Sequence, residues 1–327
     1  MIKQIINFIK KHNLIPKEST IVLGLSGGPD SVYLLYILAQ LKKEGQIKEI
    51  VAAHLDHEWR EDSAKDAKFC AKIAKEYGVI YAGRKISDLS LEAKFEGSKE
   101  ELGRRYRRHF FELVQKEYNA NLIALAHHAQ DQQETFFIRL IRGTSLSGLT
   151  AIKPKSFTKN STYIRPLLET NKQDIINFLD THKIPYLIDP SNISQEFLRN
   201  RIRAHVIPAL KECDKRFDQN FKTTLDRLQN TENFLEQLTH KNFQEISRLD
   251  KEIYYINLKQ FFKLHPVMLY RVLVHWLIAQ NVKFPVSIGF LDEIIKFLQQ
   301  PAGGQHQLYK NWVLVKKKDI AHIKIPL

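Results

Sequence analysis

Cysteine is scarce in this chain, which has only Cys70 and Cys213 among its 327 residues. Two cysteines that lie this far apart cannot form the dense disulfide framework of a small secreted domain. They are also too few for a zinc site built mainly from cysteine thiolates. We therefore expect a protein of a reducing compartment and predict a cytoplasmic location.

Long apolar runs are missing as well, because no stretch of the sequence approaches the length that a membrane-spanning helix needs. Residues 1–16 place Ile2, Ile5, Ile6 and Ile9 on one helical face, with lysines between them. This segment has neither the apolar core of a secretory signal nor the arginines and serines of a transit peptide. We expect a scaffold helix that leads into the first strand, and no membrane partner.

Acidic residues are outnumbered by basic ones. The chain has 36 aspartates and glutamates against 50 lysines and arginines, which gives a net charge of +14 and a pI near 9.5. An excess of this size favours a polyanionic partner such as a nucleic acid. Charge alone also allows a simpler explanation, in which the lysines serve solubility.

The motif that organises the chain is a short apolar run followed by a glycine turn and a helical segment. Residues 21–25 indicate a buried strand, and residues 32–43 place apolar side chains at helical spacing. A strand that enters such a loop directs backbone N–H groups and a helix N-terminus at one spot, where an anion binds. The alternative is an ordinary capped turn. The loop consists of Ser26, Gly27, Gly28, Pro29, Asp30 and Ser31.

Asp30 distinguishes this loop from a simple anion site. A carboxylate would repel a phosphate unless a cation such as Mg²⁺ lay between them. The loop also lacks two common phosphate-binding patterns, because no lysine follows the glycines and GxGxxG is not formed.

Strand-like and helical segments alternate along most of the chain. This order predicts an α/β fold with a doubly wound, mostly parallel sheet and helices on both of its faces. Ligands bind beyond the carboxyl ends of such strands, so the segments that follow strands should converge there. The pattern then changes to long polar helices, with strand-like material at residues 307–325. We predict one domain over residues 1–215 and a second, mainly helical domain over residues 216–327.

Two polar clusters follow predicted strands. His54 and Asp56 end the second strand and could line a nucleotide pocket, although Asp56 could instead form a turn. Asp131 and Glu134 share one face of a predicted helix, near its N-terminus. They could hold Mg²⁺ or a cationic amine, or they could be acidic residues that favour a helix start.

Arginines are concentrated near these clusters, and they are candidates for phosphate contacts. The alternatives are a helix C-cap for the arginine before Gly143, and a solvated basic helix for those near residue 200. The candidates for binding nucleic-acid phosphates are Arg104, Arg107, Arg108, Arg142, Arg199 and Arg203.

The glycine loop resembles the SGGxDS loop of the N-type ATP pyrophosphatases, the PP-loop superfamily. The order of seven motifs is in turn similar to that of the tRNA(Ile)-lysidine synthase family. The chain departs from the family pattern at Ala126, Gln130 and Arg108, and Arg108 adds positive charge suited to RNA. The motifs are Ser26–Ser31, His54–His57, Gly103–Phe111, His127–Thr135, Arg142–Leu149, Arg165–Leu168 and Asp189–Arg203.

This resemblance implies a two-step reaction that uses ATP and Mg²⁺. ATP first adenylates O2 of the wobble cytidine in a tRNA(Ile) with a CAU anticodon. The ε-amine of L-lysine then attacks C2 and expels AMP. ATP binding and catalysis are assigned to residues 1–215, and tRNA binding largely to residues 216–327.

The resemblance also implies roles for single residues. Asp30 would hold Mg²⁺, and Asp131 with Glu134 would bind lysine. Arg199 or Arg203 would place a positive charge near the transferring α-phosphate. The ATP site would consist of the loop with His54 and Asp56, and the implied catalytic residues are Asp30, Asp131, Glu134 and Arg199.

Two other functions stay open from the sequence. A tRNA thiolase of the same superfamily would also adenylate a base, but such enzymes usually need a reactive cysteine pair, which Cys70 and Cys213 do not offer. The other is a non-catalytic RNA-binding protein on a nucleotide-binding fold. The intact set of Asp30, Asp131 and Glu134 argues against it. The sequence leaves the oligomeric state undetermined.

Overall fold

A computed structural model describes residues 1–60, 62–90, 99–188, 197–285 and 287–324. The chain divides into two compact units, Met1–Leu225 and Asp226–Leu327. The Asp189-Pro190-Ser191-Asn192 turn of the seventh motif lies outside the described residues.

The first unit is a sheet with helices. Its strands are β1 (Ser19–Gly24), β2 (Ile47–Asp56), β3 (Ile80–Lys85), β4 (Leu122–Ala124), β5 (Lys155–Phe157) and β6 (Thr162–Ile164). A 3-10 turn over Ile86–Asp88 follows β3, and a π-helical segment over Ile202–Val206 joins α8 to α9. The helices are α1 (Ile2–Lys11), α2 (Pro29–Lys43), α3 (Ser63–Glu76), α4 (Lys99–Glu117), α5 (Ala129–Ile141), α6 (Leu146–Leu149), α7 (Lys172–Thr181), α8 (Leu198–Arg201), α9 (Ile207–Cys213) and α10 (Phe217–Ile246), the last of which continues into the second unit.

The six strands of this sheet are ordered β3-β2-β1-β4-β6-β5. All neighbours run parallel except β5, which is antiparallel to β6. The predicted α/β fold with a doubly wound, mostly parallel sheet is therefore confirmed. The short apolar run at residues 79–82 predicts the third strand there, and in the structure this strand runs over Ile80–Lys85.

The central strand β1 shows why both faces of the sheet are covered. Ile21 and Leu23 belong to one apolar cluster together with Leu34 of α2. Val22, between them, belongs to the cluster on the opposite face together with Phe110 of α4. A continuous apolar run is what a parallel strand buried on both faces requires. The loop after β1 therefore lies at the carboxyl end of a strand in the middle of the sheet.

The second unit combines helices with an antiparallel sheet ordered β7-β8-β11-β10-β9. Its core is a single apolar cluster around Trp276, Phe261 and Leu314. None of the helices in the described ranges is both long and apolar enough to cross a membrane. The elements are β7 (Ser247–Asp250), β8 (Ile253–Asn257), α11 (Leu258–Phe261), α12 (Pro266–Ala279), α13 (Ile288–Gln299), β9 (Gly304–Tyr309), β10 (Trp312–Lys317) and β11 (Ile320–Lys324).

Two boundaries in this part differ from the prediction. The sequence pattern of residues 258–280 predicts one helix, but the structure has two, because Pro266 lacks an N–H group and begins a new helix at its first position. The long polar pattern of residues 217–249 predicts a helix over that whole range, but the helix ends at Ile246, and the next residues form β7, which pairs with β8.

Candidate functional site

The loop between β1 and α2 is closed by its own serines. The Ser26 N–H donates to Oγ of Ser31 at 3.2 Å, and the Ser31 hydroxyl donates to the Gly28 carbonyl at 2.9 Å. Gly28 is the N-cap of α2, and Pro29 and Asp30 begin the helix. Ser31 is thus buried inside the loop, whereas Ser26 is exposed at its surface.

The two glycines of the loop have different surroundings. Gly27 has a φ of +84°, and a Cβ added there would lie 2.7 Å from Cδ1 of Leu187. The Leu187 N–H also donates to the Gly27 carbonyl at 2.9 Å. A Cβ on Gly28 would meet only Oγ of Ser26, at 3.6 Å, which is an ordinary contact. The protein itself requires glycine at position 27, while at position 28 the missing side chain leaves space for a ligand at the helix N-terminus.

Asp30 is held by a lysine of the same chain. Nζ of Lys172 lies 2.5 Å from Oδ2 of Asp30, and Nε2 of His128 lies 3.7 Å from the same oxygen. The other oxygen, Oδ1, is buried and has no hydrogen-bond partner among the residues that the structure describes. A buried carboxylate oxygen without a donor has capacity for a further cation.

His128 connects this loop to α5. Its buried imidazole places Nε2 at 3.6 Å from Oδ2 of Asp131, in addition to its contact with Asp30. The same Asp131 oxygen accepts the His128 backbone N–H at 2.9 Å, which is a helix-capping bond. Carboxylates from two separate motifs therefore meet at one imidazole, and Asp131 also performs the helix-start role that the sequence allowed.

Burial and charge tune the groups at the start of α5. Burial acts to raise the pKa of Asp131, but His128, His127 and the backbone N–H of His128 outweigh it, so that the pKa is lowered. Burial lowers the pKa of His127 to about 4 against the opposing charge of Asp131, and Arg165 and Arg199 add to the lowering. Asp131 is therefore an anion and His127 a neutral imidazole at neutral pH.

Glu134, fully buried on α5, binds two arginines. Nε of Arg203 donates to Oε1 at 2.6 Å, and Nε of Arg199 lies 3.4 Å from Oε2 as an ion pair without hydrogen-bond geometry. Nη2 of Arg199 donates to Oγ1 of Thr135 at 3.2 Å. Burial acts to lower the pKa of Arg203, but the bond to Glu134 outweighs it and raises that pKa. Glu134 thus orients both arginines beside the helix that carries Asp131.

His54 and Asp56, at the end of β2, are both buried. Nδ1 of His54 lies 2.9 Å from the carbonyl oxygen of Leu25, the residue before the glycine loop. Nε2 of His54 has no hydrogen-bond partner in the described ranges. Oδ1 of Asp56 accepts the Glu58 N–H at 2.9 Å, which is the turn-forming role considered for it. His54 therefore lies against the loop, whereas Asp56 shapes the backbone. Their contacts with ATP stay predictions.

The arginines of α4 have partners within the protein. Nε of Arg108 donates to Oε1 of Glu112 at 3.2 Å, and Nε of Arg107 donates to the Gly103 carbonyl at 3.4 Å. Arg104 is exposed. Binding of tRNA by these three residues stays a prediction, and for Arg108 it requires sharing or breaking the Glu112 pair.

Arg142 is exposed and forms the C-cap of α5, directly before Gly143 with its φ of +72°. This is the helix-end position that was the alternative to a phosphate contact, and a cation is favourable there. The two roles are compatible because the side chain points away from the core.

The sequence pattern assigns no individual role to three charged residues near the site: Lys172, Arg139 and Arg165, the last of which begins one of the seven motifs. Arg139 donates to two backbone carbonyls after α5, at 2.7 and 2.8 Å. Arg165 donates to a backbone carbonyl at 2.9 Å, and burial together with Arg104 lowers its pKa to about 10. Both arginines hold loops in place. Lys172 alone of the three bonds the carboxylate of Asp30, and its signal in the sequence is a cation at a helix start, where the helix dipole disfavours it.

A metal ion held by the described residues would need additional ligands, and a bound substrate could supply them. Within the described ranges, no group of three or more His, Cys, Asp or Glu side chains is arranged to hold one. Phosphate oxygens are the usual additional ligands of Mg²⁺, which protein sites bind through one or two carboxylates. Asp30, with its unpartnered Oδ1, fits such a shared site.

The fold of the first unit has a known counterpart. Among solved structures, the U34-tRNA thiolase NcsA from Methanococcus maripaludis is similar in fold, with a TM-score of 0.57 at 20% identity over 69% of this chain and 78% of that one.

Two curated relatives are tRNA(Ile)-lysidine synthases. The one from Bacillus cereus (strain ATCC 10987 / NRS 248) is 33% identical over 92% of this chain and 65% of its own length. The one from Clostridioides difficile (strain 630) is 35% identical over 83% of this chain and 58% of its own length. The chain thus spans less than two thirds of these relatives. The PP-loop domain family matches residues 1–210, the part that carries the glycine loop and the α5 cluster, and the chain belongs to that family.

Proposed function

We propose that this protein is an ATP-dependent ligase that joins L-lysine to the wobble cytidine of a tRNA(Ile) with a CAU anticodon. In the first step O2 of the cytidine attacks the α-phosphate of ATP, and pyrophosphate leaves. In the second step the ε-amine of lysine attacks C2, the C2–O2 bond breaks, and AMP leaves with that oxygen. The synthases to which the chain is similar support this assignment. A tRNA substrate of this kind places the reaction in the cytoplasm.

The observation that carries the proposal is the meeting of two anionic groups from separate motifs. Asp30 of the glycine loop and Asp131 of α5 lie 3.7 and 3.6 Å from the same nitrogen of His128. A phosphate site and a site for a cationic amine are therefore adjacent. A reaction that activates one substrate with ATP and then adds an amine needs this adjacency, because reactants held together react faster than reactants in solution.

The residues of the loop bind the leaving pyrophosphate in this scheme. Space at Gly28 and the N-terminus of α2 accept the anion. Asp30 would hold Mg²⁺ together with phosphate oxygens, and the ion would supply charge stabilisation at the phosphates. His54 borders the loop on its β2 side.

Asp131 binds the lysine amine in this scheme, because its lowered pKa keeps it ionised. Glu134 acts mainly through Arg199 and Arg203, which it fixes beside the site at 3.4 and 2.6 Å. Arginines placed in this way stabilise the charge that develops on a transferring phosphate. The sequence assigned the lysine contact to both Asp131 and Glu134. In this scheme Asp131 makes the contact alone.

The basic charge of the chain serves tRNA binding. Phosphate contacts fix the position of an RNA without reading its sequence, so the CAU anticodon must be read by unstacked bases close to the ATP site. Arg104, Arg107, Arg108 and Arg142 are the contacts proposed in the first unit, and residues 216–327 supply others.

The two cysteines argue against a thiolase of the same fold. Cys70 is buried beneath the loop, and burial raises the pKa of its thiol to about 12, which disfavours the reactive thiolate. Cys213 is free and exposed on α9. Neither forms a pair that would suit sulfur transfer.

The test is an incubation of the purified chain with ATP, Mg²⁺, labelled L-lysine and a tRNA(Ile) transcript. Label should enter the RNA with release of pyrophosphate and AMP. The same transcript with uridine at the wobble position is the control, because it lacks the cytidine and should stay unlabelled. Pyrophosphate release without label in the CAU transcript would contradict the proposal.

Asp30→Ala tests the loop in the same assay. It should abolish pyrophosphate release while the protein stays folded, because the cation that screens the phosphates loses its ligand. Glu76→Gln, in an exposed Lys72–Glu76 pair on α3, is the matched control and should release pyrophosphate normally. Normal pyrophosphate release by Asp30→Ala would show that this residue of the glycine loop is not needed for the reaction with ATP.

A further inference from the structure

Lys172 and Asp30 form an ion pair across 142 residues of sequence. Nζ lies 2.5 Å from Oδ2, and the two side chains are 33% and 24% exposed. The pair is therefore at the open side of the loop, where a bound ligand can reach it. Within the described part of the chain, the second oxygen of Asp30 has no hydrogen-bond partner.

The backbone around Lys172 is fixed from two sides. Its own N–H donates to Oε1 of Gln130 on α5 at 3.0 Å. Asn171 caps α7 by accepting the Gln173 N–H at 2.8 Å. The lysine is thus anchored beside the glycine loop and beside α5, with only its long side chain free to change direction.

A lysine in this position is unfavourable by local rules. It is the first residue of α7, where the helix dipole disfavours a cation. A partly exposed ion pair contributes little to stability, so the Asp30 contact does not offset this by itself. A residue that violates a local preference without structural gain is expected where a ligand needs it.

We propose that Lys172 is a ligand of the pyrophosphate part of ATP. In the structure its ammonium group contacts Oδ2 of Asp30. When ATP binds in the loop, the ammonium donates to a β- or γ-phosphate oxygen, and both Asp30 oxygens become available to a cation. This inference rests on the ATP-binding role in the proposed function and adds a residue to it.

The test compares ATP with AMP, because AMP lacks the two phosphates that Lys172 would bind. Isothermal titration of the full chain gives the Kd of each nucleotide. Lys172→Met should raise the Kd for ATP by about 10- to 100-fold, as expected when a charge-assisted hydrogen bond is removed. The Kd for AMP should change by less than about 3-fold, because AMP offers no group for this lysine to bind. Lys172→Arg should keep most of the ATP affinity.

A matched control removes a lysine without touching the site. Nζ of Lys222 lies 2.6 Å from Glu169 in an exposed pair of the same unit. Lys222→Met changes net charge by the same amount as Lys172→Met and should bind both nucleotides like the wild type. Equal ATP affinity of Lys172→Met and Lys222→Met would overturn the inference.

A second variant distinguishes direct binding of phosphate by Lys172 from the alternative, in which Lys172 only neutralises the charge of Asp30. In EDTA, where no divalent cation contributes, Lys172→Met combined with Asp30→Asn removes both charges. If Lys172 only screened Asp30, this double variant would recover wild-type ATP affinity, which would overturn the inference. An affinity that stays about 10-fold or more below the wild type supports a direct phosphate contact.

The result is distinguishable from failure of the proposed function. A wild-type chain that binds ATP but transfers no lysine would contradict the ligase assignment and leave the Lys172 measurement intact. A wild-type chain with no ATP affinity would overturn both.

Discussion

The carboxylate of Glu134 accepts a hydrogen bond from Nε of Arg203 at 2.6 Å, although the two residues lie 69 positions apart in the sequence. The carboxylate is fully buried, whereas the Arg203 side chain is 43% exposed. The buried anion therefore holds in place an arginine that faces solvent, so a change at Glu134 affects both the stability of the protein and the position of that arginine.

Glu134→Gln should lower the free energy of unfolding by about 1–3 kcal/mol, because it removes the anion from a largely buried pair and leaves Arg203 and Arg199 unneutralised. Chemical denaturation measures the change. Glu76→Gln, which breaks only an exposed pair at 3.9 Å, is the control and should change stability by less than about 0.5 kcal/mol. Equal effects of the two variants would show that the buried pair is not special.

Gly27→Ala and Gly28→Ala should fail in different ways. Alanine at position 27 meets Leu187 and a φ of +84°, so the variant should lose about 1–2 kcal/mol of stability. Alanine at position 28 meets no close protein atom, so that variant should stay stable and lose ATP affinity instead. Thermal unfolding with and without ATP distinguishes the two. Normal ATP binding by Gly28→Ala would show that no phosphate binds in the space next to Gly28.

Asp131→Asn should separate the two steps of the proposed reaction. The asparagine oxygen can still accept the His128 N–H, so the helix cap persists while the charge is lost. Pyrophosphate release should continue, and the KM for lysine should rise by about 10- to 100-fold. Asp88→Asn, which changes a capping aspartate outside the site, is the control. Normal lysine transfer by Asp131→Asn would reduce Asp131 to a helix cap.

Acid should destabilise the protein through its buried histidines. Burial lowers the pKa of His57 to about 4, helped by Arg107 and His54, and His127 reaches about the same value. Both titrate near pH 6.5 when unfolded, so between about pH 6.5 and 4 the unfolded chain binds more protons. As the pH is lowered through this window, the free energy of unfolding should decrease by at most about 1.4 kcal/mol per pH unit for each histidine.

Denaturation at several pH values, with His57→Gln for comparison, measures this dependence. The variant should show a shallower loss of stability because it lacks one of the two titrating groups. Parallel curves for the wild type and the variant would show that His57 keeps an ordinary pKa in the folded protein.

The lysines at residues 316–318 should differ in their effects. Nζ of Lys316 is buried and donates to the carbonyls of Leu298, at 2.7 Å, and Gln300 at the end of α13, so Lys316→Met should destabilise the fold.

Lys317 and Lys318 are exposed and available for phosphate binding. Lys317→Gln combined with Lys318→Gln should weaken tRNA binding. In a plot of the logarithm of the binding constant against the logarithm of the salt concentration, the slope should become shallower by about 0.7 to 0.9 for each phosphate that is no longer neutralised. An unchanged slope would exclude them from the tRNA surface.

The local sequence was sufficient for the parts of the site that lie on one strand–loop–helix unit. The apolar run of β1, the glycines after it and the acidic face of α5 each carry a local signal, because periodicity and backbone freedom act over a few residues. The parallel direction of most strands followed from the alternation of strand-like and helical segments along the chain. The motif order, from which the family was inferred, was also present in the sequence alone.

Tertiary structure decided how charged side chains are paired. Lys172 meets Asp30, and Arg203 meets Glu134, across long stretches of chain, and no local pattern specifies such a pairing. Lys316 reads as part of a basic run, yet the fold buries it at a helix end. Charges act through space and depend on burial, so the sequence determined which charged groups the protein has, and packing determined which of them are neutralised within the protein and which can meet a ligand.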